Sequence, residues 1–477
     1  MRQRVHGLLR FLYGDTLSRS ACAQSAAFAA LLCLVVGVYW MMRSLKDSVF
    51  ATLVGLEFQP LAKMLSLLVV TCLLFVYNKL VDCVPRHQLF NVMCGAYSAI
   101  FLTIACMLTN TTHGLYGPDG EALPASPKRY LGWVHYFAIE SYGSLIVSLF
   151  WQYVNSQVNL KQAKGQYGII TAGGQVGAIA GSSLVIGSKR FGVAQLYGFG
   201  GLLTLVSPLI ICAYLRRFPP DDEQEGSTRS TLAASTPSSA KRVQPGLFEG
   251  LKLLVKHPYV LGIFAVSAMF EVIATILDYQ MKVLGKSRYA STADFAAFMG
   301  LFGQATNTVS LVFSLVGTSF VIRNLGLRPT LMLFPTMLIA VIGVVYVSPS
   351  MWVLFAVMVS IKGLSYALNN PSKEMLYLVT TDSIKFKSKS WIDAFGGRAS
   401  KALGSVVTNA FKHPISNLMF YGSIVSISLA AALLGIASSL GRYFNYLNDT
   451  GNVVGLDVSS EDEEESVSLV TKTEDDK

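Results

Sequence analysis

The sequence predicts an all-α membrane protein of about twelve transmembrane helices arranged as two six-helix halves. Three observations carry that expectation. The chain of 477 residues is 52% hydrophobic and only 14% charged, with a mean hydropathy of +0.48; soluble domains carry about a quarter charged residues. Apolar runs of about 20 residues, the length that crosses a bilayer as a helix, recur along the chain. One long hydrophilic stretch falls near the middle and divides these runs into six and six. Backbone groups in lipid must satisfy one another, so the runs are read as helices. The alternating pattern of a membrane β-barrel is absent.

In chain order the expected span cores are 23–42, 60–80, 88–108, 130–153, 166–186 and 192–214, then 258–281, 294–322, 329–348, 351–368, 391–411 and 416–438. The Gly-, Pro- and Thr-rich stretch Thr109–Arg129 reads as a loop between the third and fourth. The dividing stretch, RRFPPDDEQEGSTRSTLAASTPSSAKRVQPG, is rich in Pro, Ser, Thr and charge and reads as a linker. LFEGLKLLVKHP after it has the pattern of an amphipathic interfacial helix. These features give an N-terminal segment 1–20, a first half 21–215, a linker 216–257, a second half 258–440 and a tail 441–477. Two six-span halves joined by such a linker is a major-facilitator-like plan, in which the substrate site lies between the halves near the midplane. The plan alone names no substrate.

An even number of spans places both termini on one side. Arg2, Arg4, Arg10 and Arg19 precede the first span, and Lys79, Arg86, Lys161, Lys164, the basic linker, Arg323, Arg328 and the Lys373/Lys385/Lys387/Lys389 cluster fall on the same face. The positive-inside rule makes that face cytoplasmic. The net charge is +10 although the segment after Leu456 holds nine carboxylates against Lys472 and Lys477. That acidic extension reads as a solvated, disordered cytoplasmic tail. No cleavable signal peptide is evident, because the first apolar run is long enough to span.

Ionisable residues inside spans are costly, and each is a functional-site hypothesis. Four places stand out. In YWMMRSLKDSVF, Arg43 and Asp47 are four apart and able to pair on a helix, leaving Lys46 as the spare cation. The alternative is that the helix ends near Arg43 and the charges snorkel to headgroups. Glu140 sits in HYFAIESYGSLIVSLFWQ with apolar or small residues on both sides, so it is either paired or protonated. His135, five residues earlier, is a weak candidate to couple with it. Glu271 lies deep in FAVSAMFEVIATILDYQMKVLG, where Asp278 and Lys282 have the spacing of a helix-end ion pair. WIDAFGGRASKALGSVV carries Asp393, Arg398 and Lys401 on a helix rich in small residues, either a packing helix with snorkelling cations or a site for close substrate approach. Lys46, Arg398 and Lys401 thus emerge as candidates to face a polyanion, since Arg binds phosphate bidentately and Lys as a point charge.

Several function classes lack their sequence signals. There is no G-x-x-x-x-G-K-[ST] loop. GQYGIITAGGQVGAIAGS follows no strand, so its glycines read as close helix packing rather than a dinucleotide fingerprint. The seven cysteines include no C-x-x-C pair and are read as small buried hydrophobes, not a disulfide framework or metal site. Zinc-ligand spacing is absent, and no nucleophile or paired-carboxylate motif suggests an enzyme. No cofactor, metal or nucleic-acid partner is expected. Asn110-Thr-Thr matches a glycosylation acceptor, a weak signal.

At the same charged segments the chain resembles the ATP/ADP translocase family of obligate intracellular bacteria and plastids, the non-mitochondrial nucleotide transporters, over most of residues 20–440. RSLKDSVF resembles the family's first-span motif of an arginine, then a lysine followed by aspartate. FAIESYGSLIVSLFWQYVNSQVNLKQAKGQYGIITAGGQVGAIAGS resembles its fourth-to-fifth-span block. SKEMLYLVTTDSIKFKSKSWIDAFGGRASKALGSVV is the most specific piece, with Lys373 and Glu374, the basic turn at Lys385, Lys387 and Lys389, then Asp393, Gly396, Arg398 and Lys401 in the family's order. The chain departs from the pattern in ALGS after Lys401, where members have a Gly-rich stretch, and in NSQVNL, which lacks an aspartate after the asparagine.

The resemblance implies a nucleotide transporter, with four intramembrane charges associated with transport falling on Lys46, Glu140, Glu271 and Lys401. It implies ATP and ADP as substrates, exchanged by alternating access between lipid-embedded halves in a bacterial inner membrane. A proton-coupled nucleotide symporter, with Glu140 or Glu271 carrying the proton, is the alternative. A non-transporting membrane receptor working through its acidic tail is a distant third. Oligomeric state is not legible.

Overall fold

The computed structural model describes residues 19–83, 86–157, 160–217, 247–316, 326–381, 384 and 388–455. The segment before Arg19, most of the expected linker, the residues after Gly455, and Lys385 and Lys387 of the basic turn lie outside the described residues. Among the described residues there is no named strand, and two isolated bridges occur, Tyr116 with Ala122 and Thr380 with Val454.

The first half comprises α1 (Arg19–Leu53), α2 (Gln59–Cys83), α3 (Arg86–Leu108), α4 (Tyr130–Gln157), α5 (Leu160–Ile186) and α6 (Val193–Arg217). A short amphipathic helix, α7 (Leu247–Lys256), leads into the second half. There follow α8 (Pro258–Arg288), α9 (Thr292–Val316) and α10 (Leu327–Val347). Helix α11 runs over Met351–Leu364 and continues through a π-helical turn at Ser365–Asn369 into Asn370–Leu376. Helix α12 starts at Lys389–Trp391, passes a second π-helical turn at Ile392–Gly396 and continues as Gly397–Phe411. Helix α13 (Ile415–Thr450) extends beyond residue 440, where the second half was expected to end.

Nine helices among the described residues are long and apolar enough to cross a bilayer. The other three expected spans are helical as well: α4 and α12 are more polar, and the apolar stretch of α11, Met351–Leu364, stops after 14 residues at a π-helical turn. All three carry polar side chains, Glu140 and Ser144, Lys362 and Asn370, and Arg398 and Lys401, that line an internal cavity. The 35 residues of α1 would span about 52 Å at 1.5 Å per residue, well over the ~30 Å hydrocarbon core. This helix passes through YWMMRSLKDSVF without a break, so the reading in which it ends near Arg43 is corrected.

Buried apolar side chains gather into two cores. One draws on α1–α6, with Phe28, Tyr97, Tyr142 and Phe150 among its large members. The other draws on α8–α13, with Phe270, Leu338, Leu433 and Leu440. Within the first half α1 packs along α5 and α3 along α6; within the second, α8 packs on α12 and α13, and α10 on α13. The halves meet through α5 on α9, α2 on α12 and α1 on α9.

The glycine-rich run in α5 explains its closest contact. Gly173, Gly177 and Gly181 recur every four residues on one face, and a Cβ on each would collide with the α1 backbone at Ala29, Cys33 and Gly37. Removing side chains on that face lets two helices approach where no hydrophobic effect drives them together. Outward-facing residues such as Leu68, Phe75 and Leu209 are exposed and apolar, as lipid contact demands. The cysteines differ from expectation: Cys94 is buried, but Cys72, Cys106 and Cys212 lie on exposed helix faces, small hydrophobes that point outward. Asn110 caps a turn, its Oδ1 accepting from the backbone of Thr112 (2.8 Å) and His113 (3.1 Å).

Candidate functional site

A cavity of about 550 Å³ lies between the halves, within the ~300–1,000 Å³ of small-molecule sites. Its walls come from α1, α2 and α4 on one side and α8, α9, α11 and α12 on the other. Among the described residues it is lined by eight basic and five acidic side chains, a formal excess of three positive charges.

The two halves are pinned together at one end. Thr52 near the end of α1 hydrogen-bonds Thr292 at the start of α9 (2.7 Å), Ser188 after α5 donates to the Ala293 carbonyl (2.7 Å), and Lys412 after α12 donates to the Glu57 carbonyl (3.3 Å). Close backbone approach adds to this, because a Cβ on Gly300 would meet the α5 backbone at Ser182 and Ile186, each at 2.9 Å. These contacts sit at the end opposite the start of α1. Toward the other end the cavity side chains become accessible: Lys401 is 52% exposed, whereas Lys282 near the pinned end is 5% exposed.

Each half contributes one lysine–glutamate pair to the cavity. In the first, Lys46 on α1 pairs with Glu140 on α4, and its Nζ sits 4.3 Å from the Tyr136 ring centroid. Lys46 is 6% exposed while Glu140 is 28% exposed, so the carboxylate presents its free edge to the cavity. In the second, Lys401 on α12 faces Glu271 on α8 at 3.8 Å, a looser pair in the open part of the cavity. Arg398, one helical turn before Lys401, reaches across the cavity to donate to Ser144 Oγ of α4. Ser144 in turn donates to the Glu140 carbonyl (3.0 Å), so the guanidinium of one half lies beside the acidic turn of the other.

The remaining expected residues are placed differently. Arg43 does not pair with Asp47. Its guanidinium stacks over Trp40 at 4.9 Å and donates to Tyr39 Oη at 3.1 Å, a cation held by aromatic faces. Asp47 instead pairs with Lys282 of α8 at 2.7 Å and accepts from Gln59. Asp278 and Lys282 do form the i,i+4 pair, at 2.6 Å, but deep within a larger cluster rather than at a solvated helix end. His135 is buried with its ring on the Gly132 carbonyl (2.8 Å) rather than on Glu140. Asp393 belongs to the π-helical turn of α12, and its side chain lies outside the described residues.

Sequence reasoning missed Lys63 and Lys362, which pair with Asp278 at 3.3 and 2.9 Å. Lys362 lies in the middle of an expected span, so the rule applied to Glu140 would have found it. Lys63 sits near a span start, where a lysine is indistinguishable from one that snorkels. Both π-helical turns also went unpredicted; such turns widen a helix and concentrate at functional sites. Here the first presents Ser365 and Tyr366 to the cavity, and the second places Ile392 and the following Gly397 in its wall.

The profile of the TLC ATP/ADP transporter family matches residues 24–356. Curated relatives include ADP,ATP carrier protein 1 of Chlamydia muridarum, 23% identical and covering 83% of each chain. ADP,ATP carrier protein 3 of Rickettsia conorii is 22% identical over 79% of this chain and 84% of its own. The plastidic ATP/ADP-transporter of Solanum tuberosum is 23% identical over 88% of this chain and 72% of its own. Among solved structures, a bacterial homologue of the iron transporter ferroportin in an inward-facing state aligns with a TM-score of 0.61 at 12% identity, over 89% of this chain and 100% of its own. The POT family transporter PepTSo aligns with a TM-score of 0.58 at 12% identity, over 88% of this chain and 98% of its own, a likeness of fold alone. The helical plan, the charged cavity between its halves and the family match agree: the chain is a multi-pass membrane transporter and belongs to the TLC ATP/ADP transporter family.

Proposed function

We propose that this carrier exchanges ATP for ADP by alternating access, importing ATP into the cell whose inner membrane holds it, with both termini in the cytoplasm. The observation that carries the reading is the facing arrangement of the Lys46–Glu140 and Lys401–Glu271 pairs, one from each half, in a cavity with a positive excess. The excess of three approaches the roughly three to four negative charges of a nucleoside di- or triphosphate at neutral pH. Lys46, Lys401 and Arg398 neutralise phosphate oxygens. Glu140 and Glu271 balance the lysines when the cavity is empty. Arg43, with Tyr39 and Trp40, supplies a fixed cation and aromatic surface on the wall, and Asp393 and Asp47 are supporting charges.

Direction follows from gradients. ATP and ADP differ by about one charge, and moving one charge through 100 mV is worth about 2.3 kcal/mol. No hydrolysis is required. The names of the Chlamydia, Rickettsia and plastid relatives support the nucleotide pair, and the basic bias of the face holding the termini supports the orientation. The linker spans residues 216–257 and the tail follows the last membrane helix in this reading. The test is uptake of labelled ATP by intact bacterial cells producing the chain, with ADP, AMP and adenosine as competitors. Competition by ADP, with adenosine without effect, supports it. Uptake that collapses with an uncoupler and needs no internal nucleotide favours proton symport and contradicts it.

A further inference from the structure

The floor of the cavity, next to the pinned end, is built by side chains that the proposed nucleotide contacts do not use. Lys282 lies between Asp47 at 2.7 Å and Asp278 at 2.6 Å. Asp278 takes two further lysines, Lys362 on Oδ1 at 2.9 Å and Lys63 on Oδ2 at 3.3 Å. Two of these four ion pairs stay within the second half. The other two cross between the halves, Lys282 of α8 to Asp47 of α1 and Lys63 of α2 to Asp278 of α8. Beyond the cluster come the Thr52–Thr292 bond and the other contacts of the pinned end. The cluster therefore stands between the cavity and the closed face.

The cluster is also reachable from the cavity. Lys63 and Lys362 line it, with side chains 17% and 12% exposed, whereas Asp47 is only 3% exposed. Three lysines share two carboxylates, so one positive charge is left over for an anion that enters. A polyphosphate offers several charged oxygens to lysine donors, and charge-assisted bonds of that kind are the strong ones. Asp278 would still keep Lys282, its neighbour on the same helix. A ligand shifts a conformational equilibrium only through contacts that differ between the two states, and drawing Lys63 away from Asp278 removes one of the two cross-half ion pairs.

We propose that Asp47, Lys63, Asp278, Lys282 and Lys362 form a latch on the closed face, and that the polyphosphate of a bound nucleotide loosens it by taking Lys63 and Lys362 from Asp278. The proposal rests on the exchange reading above and supplies its missing step: the empty carrier stays latched while open to the side of its termini, so after releasing one nucleotide there it turns back only when another binds. A nucleoside without phosphates fills the cavity but leaves the latch closed.

Lys63→Gln tests this, because it cuts one cross-half pair while leaving Asp278 with two lysines. Purified carrier is reconstituted with the side of its termini inward, and uptake of labelled ADP is measured into liposomes that hold no nucleotide and into liposomes preloaded with unlabelled ADP. The expected result is a ratio of uptake into nucleotide-free liposomes to exchange raised roughly tenfold over the native chain, with Lys63→Arg restoring the native ratio. Exchange with an unchanged ratio overturns the latch. Failure of the native chain to exchange refutes the proposed function instead. Should Lys63→Gln lose all flux, a second reading decides: labelling of Thr292→Cys by a membrane-impermeant thiol reagent, with Lys63→Gln alone as the control for native cysteines. The latch requires faster labelling of Lys63→Gln/Thr292→Cys than of Thr292→Cys without nucleotide, and acceleration of Thr292→Cys by ADP but not adenosine. Equal rates overturn it.

Discussion

Replacing Lys401 with glutamine removes a charge while keeping most of the side chain's shape. The structure separates its effect on stability from its effect on transport. Lys401 is 52% exposed and 3.8 Å from Glu271, which is 30% exposed, so the pair is a loose one in a wet cavity. Exposed pairs of that kind contribute about 0–1 kcal/mol, and the variant should melt within a few degrees of the native protein in detergent. Transport should respond quite differently. A hydrogen bond to a charged group contributes about 1.5–3 kcal/mol, and every ~1.4 kcal/mol is tenfold. The account therefore predicts a fall of roughly ten- to a hundredfold in kcat/KM for ATP–ADP exchange in liposomes. It also predicts a weaker dependence of the remaining exchange on ionic strength, because one screened attraction to phosphate is gone. A Lys401→Gln carrier that exchanges normally, or one whose loss of transport tracks a large loss of thermal stability, would refute the reasoning.

Other perturbations follow from the same geometry. Glu140→Gln leaves Lys46 unpaired at 6% exposure and should destabilise the fold by about 3 kcal/mol or more; adding Lys46→Gln should recover melting temperature without recovering transport. Gly177→Ala places a Cβ against the Cys33 carbonyl of α1, so a loss of about 1–3 kcal/mol is expected, read as a lower unfolding temperature by size-exclusion. Paired cysteines at Thr52 and Thr292, whose hydroxyls are 2.7 Å apart, should stop exchange on oxidation and release it on reduction, with each single variant unaffected by oxidant. Truncation after Leu456 should leave exchange intact, since the described residues that line the cavity all precede it; loss of function there would revive an interaction role for that segment.

Much of the architecture is legible in the sequence because the bilayer is a demanding solvent. Spans of about 20 apolar residues must be helices, and a polar interruption between six and six divides the chain. The fixed spacing of Gly173, Gly177 and Gly181 likewise announces a helix contact, since only glycine lets backbones touch as α5 and α1 do. Within the site, Lys46, Glu140, Glu271 and Lys401 stand out because a charge in an apolar run has few bland explanations. Their pairings do not follow from spacing. Arg43 and Asp47 are well placed for each other along α1, yet each finds a better partner in space: aromatic faces for Arg43, and Lys282 of the other half for Asp47. The Asp278–Lys282 pair is legible as a pair but not as the centre of a five-charge cluster, because Lys63 and Lys362 reach it from helices distant in sequence. Local pattern reveals which residues are costly; only tertiary structure reveals what compensates them.

The central claim is that nucleotide on one side is needed to release nucleotide from the other. The most direct measurement loads intact bacterial cells producing the chain with labelled ATP, then chases with unlabelled ATP or ADP outside. The account predicts rapid efflux of label when external nucleotide is present and little without it. Label retained throughout the chase, or lost equally fast into nucleotide-free medium, would contradict it.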